Sequence, residues 1–89
     1  SAALEALACG LPTLTSPACG VAELITSPLA GAVVSPQNPA AMASELVRLL
    51  EATRLPDEVA AKAARGCVAH LSWEAMSQQL QGLYASLAC

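Results

Sequence analysis

Two short apolar runs limit this chain more than any other feature. "PTLTS", residues 12–16, and "GAVVS", residues 31–35, are β-prone and only a few residues long. The second shows no polar alternation, as expected of a strand covered on both faces. Between them lie the turn "SPACG", a brief helical stretch "VAELI" that Gly20 opens, and a turn marked by Ser27-Pro28 and Gly31. Strand, short helix, strand is a βαβ unit, so the strands are expected to run parallel with a right-handed crossover.

Helical patterns flank this unit. "AALEALAC", residues 2–9, consists of strong helix formers. Gly10 supplies the position at which helices commonly stop, and Pro12 prevents a restart. No N-cap signal beyond Ser1 precedes this helix, so it begins as though cut from something longer. Downstream, Asn38 is a good N-cap and Pro39 a good first helical residue. Met42, Leu46, Leu49 and Leu50 then share one helix face.

Arg54-Leu55-Pro56 ends that helix. Pro56, Asp57 and Glu58 are expected to start another, with its acids in the first turn where the helix dipole favours them. Glu58 and Lys62 stand in the favourable i, i+4 order. Ser72 can cap a last helix, whose apolar residues Trp73, Met76, Leu80, Leu83 and Leu87 alternate in steps of three and four. Such a stripe is a docking seam rather than a cofactor box.

A two-stranded parallel sheet is too small to stand alone, because parallel sheets need cover on both faces. The expected fold is therefore α/β and mostly helical. It is a fragment of a Rossmann-like doubly wound domain, with two short parallel strands followed by three helices. Residues 1–89 form a single partial domain.

Composition bounds the partners. The chain has no Phe, one Trp and one Tyr, is 55% hydrophobic and carries 12% charged residues. Leu, Ala and Val must fill the core, and Ala buries little area, so close backbone approach has to compensate. An apolar load this high in 89 residues predicts an exposed patch and hence a partner, with a homodimer the simplest one. Net charge is −3 and the only basic residues are Arg48, Arg54, Lys62 and Arg65, which argues against nucleic-acid binding. No run approaches the roughly 18 apolar residues of a membrane span, and no signal peptide is visible. Cys9, Cys19, Cys67 and Cys89 show no C-x-x-C pair and no zinc spacing. Nothing in the spacing argues for a Cys9–Cys19 disulfide; reduced, mostly buried thiols in a cytoplasmic protein are expected.

With these elements placed, "ALEALACGLPTLTS", "CGVAELI", "AGAVVSPQNPAAMASELVRLL" and "SWEAMSQQLQGLY" resemble, in order and spacing, the C-terminal end of a known group. These are the retaining, nucleotide-sugar-dependent glycosyltransferases of the two-Rossmann-domain GT-B fold, family four. The family's sugar-nucleotide motif is two glutamates separated by seven residues. The second matches Glu5; the first would fall before Ser1, as would the glycine-rich turn that meets the pyrophosphate and the whole acceptor domain. The resemblance implies that Glu5 hydrogen-bonds the donor ribose. It also implies that Thr15, Ser16 and Gly20 lie in a loop near the cleft, beyond the carboxyl ends of the strands. Glu23 matches the acid of a Gly-x-x-Glu stretch, and Cys19 stands where the family usually has a further glycine. Read as a helical residue alone, Glu5 is a solvated surface charge; read through the resemblance, it clamps two vicinal hydroxyls.

Other candidates read as structural. His70 ends a helix, where a cation gains from the dipole. Ser16 and Ser35 follow strands but lack the G-x-S-x-G context of a nucleophile. Gly10, Gly20 and Gly31 form no G-x-G-x-x-G and punctuate turns. No catalytic residue, metal ligand or cofactor is expected in this chain.

The resemblance implies a parent enzyme, peripheral at the inner membrane face, that transfers a hexose from a nucleotide diphosphate to a cell-surface glycan or lipid acceptor of the lipopolysaccharide type. The 89-residue chain is expected to be inactive by itself. The competing reading is a stand-alone α/β interaction module or homodimerisation domain without chemistry.

Overall fold

A computed structural model describes residues 2–71 and Gln78. The expected last helix, with its Ser72 cap and its stripe from Trp73 to Leu87, lies outside the described residues. The order of elements is α1 (Ala2–Ala8), β1 (Thr13–Thr15), a 3-10 helix (Gly20–Leu24), β2 (Gly31–Val33), α2 (Pro39–Ala52), a single 3-10 turn (Pro56–Glu58) and α3 (Val59–Val68).

β1 and β2 pair in parallel, with Thr13 opposite Gly31, Leu14 opposite Ala32 and Thr15 opposite Val33. The Thr13 N–H donates to the Ala30 carbonyl at 2.9 Å and the Val34 N–H to the Thr15 carbonyl at 2.8 Å, which extends the ladder at both ends. The α/β class and the parallel βαβ unit are as expected, although each strand holds three residues rather than five and the crossover helix is 3-10. Burial of β2 on both faces is not realised. Gly31 is buried, but Val33 is 42% exposed, because β2 is an edge strand of a sheet with two strands among the described residues.

Gly31 is required by a close approach. A Cβ built on it would lie 2.1 Å from the Thr13 carbonyl oxygen, where no side chain fits. Gly10 is required by backbone conformation, with φ at +85°. The Gly10 N–H donates to the Leu7 carbonyl at 3.0 Å and the Leu11 N–H to the Ala6 carbonyl at 2.8 Å. That pair of bonds is a Schellman ending, and it turns the chain out of α1 toward β1.

The core lies mainly between α1, α3 and the segment after β1. Leu4 and Leu7 are almost fully buried among Cys19, Val21, Ala30, Ala64, Cys67 and Val68. Ala60 and Ala64 recur at i, i+4 on α3 and are both buried. The small side chain of Ala64 leaves room for the two leucines, so the helices fit closely without aromatic residues.

On α2 the cap is as expected: the Asn38 side-chain oxygen accepts from the Ala41 N–H at 3.2 Å, and Pro39 occupies the first turn. Of the predicted face, only Leu49 is buried; Met42, Leu46 and Leu50 are 37%, 50% and 55% exposed. Arg48 ties α2 to the chain entering β2. Its guanidinium donates to the carbonyls of Pro28 and Gly31 and pairs with Glu45 at 2.6 Å.

The start of α3 differs from expectation. Leu55 is extended, as a residue preceding proline prefers. Asp57 and Glu58 then take left-handed φ values of 61° and 52° to re-aim the chain, so both acids precede α3 instead of filling its first turn. Among the described residues, Glu58 and Lys62 form no ion pair. Nor does any described helix have the length and apolarity to cross a membrane.

Three glycines give three different outcomes in denaturant unfolding. Gly31→Ala should destabilise by about 3 kcal/mol, the upper end for overpacking, because its Cβ meets backbone. Gly10→Ala should cost about 1–2 kcal/mol for a left-handed alanine. Gly66→Ala, in a helix with nothing within 4 Å of the added carbon, should stabilise by about 1 kcal/mol.

Candidate functional site

The residues singled out in the sequence fall on α1, at the end of β1 and in the loop and 3-10 helix that follow it. Thr15 is the last residue of β1 and is buried. Its hydroxyl turns back on the chain and donates to the Ser16 carbonyl at 3.5 Å. Ser16 is half-buried, with its hydroxyl 3.5 Å from the Cys19 sulfur. The Cys19 N–H closes the loop onto the Ser16 carbonyl at 3.1 Å, and the Ala22 N–H bonds the Cys19 carbonyl at 3.0 Å. Gly20 begins the 3-10 helix that follows. Thr15, Ser16 and Gly20 therefore belong to one hydrogen-bonded loop at the carboxyl end of β1, where open parallel sheets bind their ligands.

Glu5 lies on α1. With Leu4 and Leu7 directed into the core, helical periodicity leaves Glu5 exposed. Among the described residues no hydrogen bond or ion pair joins Glu5 to the loop. Glu23 is likewise exposed, on the 3-10 helix. Among the described residues, neither carboxylate is held in an ion pair.

The cysteines depart from expectation. Cys67 is free and buried, near the Thr26 hydroxyl at 3.7 Å, as a structural thiol should be. Cys9 is free but exposed, because it follows α1 on the side away from the core. Cys19 is disulfide-bonded, so the expectation of reduced thiols throughout fails there. No Cys9–Cys19 bond exists.

Two concavities lie elsewhere. An apolar groove of about 220 Å³ runs between Leu11, Pro12 and Leu14 on one side and Leu46, Leu49 and Leu50 of α2 on the other. A shallower hollow of about 330 Å³ lies beside Leu29, Arg48 and Glu51. Neither is lined by Glu5, Thr15, Ser16 or Gly20. No sequence pattern pointed to Arg48 beyond its i, i+3 spacing from Glu45. Its bonds to two carbonyls depend on how the chain folds back, which spacing does not reveal. Among the described residues, no three His, Cys, Asp or Glu side chains are grouped to hold a metal ion.

Exposure separates role from stability. Glu5→Ala should change the unfolding free energy by less than about 0.5 kcal/mol, as surface substitutions do. Its neighbour Leu4→Ala should cost about 2–5 kcal/mol. Parallel denaturant titrations of the two variants check this contrast.

The family model described as Glycosyl transferases group 1 matches residues 1–66. No curated protein and no solved structure matches the chain. The match takes in α1, the βαβ unit, α2 and most of α3, in a fold of the Rossmann-like α/β kind. The chain belongs to the group 1 glycosyl transferases.

Proposed function

We propose that residues 1–89 are the C-terminal part of the nucleotide-sugar-binding domain of a retaining, family-four glycosyltransferase. In this reading the longer enzyme works in the cytoplasm, at the inner membrane face. It moves a hexose from a nucleotide-diphosphate donor to a cell-surface glycan or lipid acceptor of the lipopolysaccharide type. The observation that carries the reading is the family match over residues 1–66, which favours it over a stand-alone interaction module.

Within that enzyme each candidate residue has a physical task. The Glu5 carboxylate, exposed on α1, accepts hydrogen bonds from two vicinal ribose hydroxyls and so fixes the nucleoside. Thr15, Ser16 and Gly20 shape the loop at the carboxyl end of β1, against which the donor rests. Transfer forms a bond from the anomeric carbon to the acceptor oxygen as the nucleotide diphosphate leaves. The share of this half is to hold the donor in line, and orientation of that kind supplies much of the rate. No residue of this chain is assigned to the chemical step.

Two arms test the reading. In the longer enzyme, Glu5→Ala should lower kcat/KM for the donor by about 10- to 100-fold, the value of a charge-assisted hydrogen bond of about 1.5–3 kcal/mol. The isolated chain should turn over no nucleotide-sugar donor, and in NMR titration with nucleotide diphosphates it should show at most millimolar shifts, centred on Glu5. Turnover by the isolated chain, or micromolar binding that survives Glu5→Ala, overturns the assignment.

The isolated chain is also proposed to form a two-fold dimer. Thr13 and Thr15 direct their ladder bonds to β2, so the N–H and C=O of Leu14 point to the opposite, open edge of β1. The apolar groove against α2 flanks that edge. Light scattering at micromolar concentration should give a mass near twice 9.0 kDa. Leu46→Glu, at a half-exposed position, should return it to the monomer mass without unfolding it. A monomer in the unmodified chain rules the dimer out.

A further inference from the structure

We draw no further inference here: the strongest candidate, the apolar groove between α2 and the open edge of β1 lined by Leu11, Leu14, Leu46 and Leu50, is the surface already assigned to the two-fold dimer, and nothing in the structure shows a different occupant for it.

Discussion

The approach of β2 to β1 at Gly31 is the constraint on which the rest of this structure depends. A Cβ on Gly31 would overlap the Thr13 carbonyl oxygen, so only glycine fits where β2 enters its pairing with β1. That contact opens the register, and Leu14–Ala32 and Thr15–Val33 follow from it. The register in turn decides where β1 stops, and so where the Thr15–Gly20 loop emerges. A shift by one residue would bring Leu14 to the end of the strand and exchange the faces of every side chain. The candidate loop is thus held in place from the far end of a three-residue strand.

The second support is the seam between α1 and α3. A chain without Phe must fill its core by proximity, and it does so by setting Leu4 and Leu7 against Ala64, Cys67 and Val68. The same seam decides what α1 shows to solvent. Because two leucines three residues apart are committed inward, Glu5 is committed outward. Core packing and the exposure of the Glu5 charge are therefore two readings of one helix rotation. The Schellman ending at Gly10 completes the arrangement by delivering the chain from α1 into β1 within a few residues.

Much of this was legible in the sequence, for identifiable reasons. Gly10, Asn38 and Pro39 act locally, through backbone conformation and a single cap, and each does in the fold what its residue type suggests. The parallel pairing of "PTLTS" with "GAVVS" followed from the helical stretch between them, which makes a βαβ unit. The failures lie where the outcome depends on neighbours instead of local preference. Periodicity put Met42, Leu46, Leu49 and Leu50 on one face correctly, but a period cannot say whether anything covers that face, and three of the four are exposed. Acids after a proline suggested a helix start; the extended Leu55 forces a left-handed detour through Asp57 and Glu58 first. At the candidate site, the grouping of Thr15, Ser16 and Gly20 could be read from their nearness in the chain. The carbonyl contacts of Arg48 could not.

Arg48 gives α2 a mechanical role. Its guanidinium reaches the carbonyls of Pro28 and Gly31, so the helix is strutted to the backbone at the point where the chain enters β2. A strut to carbonyls is indifferent to the side chains of the loop it braces, which leaves those side chains free to vary while the brace persists. Lysine would not replace it, because a single ammonium lacks the planar fork needed to hold two carbonyls and the Glu45 carboxylate together. Any load placed on the outer face of α2 is carried through this strut to Gly31 and from there into the register of the sheet. A helix with a largely exposed outer face is therefore coupled to a backbone contact that tolerates no side chain.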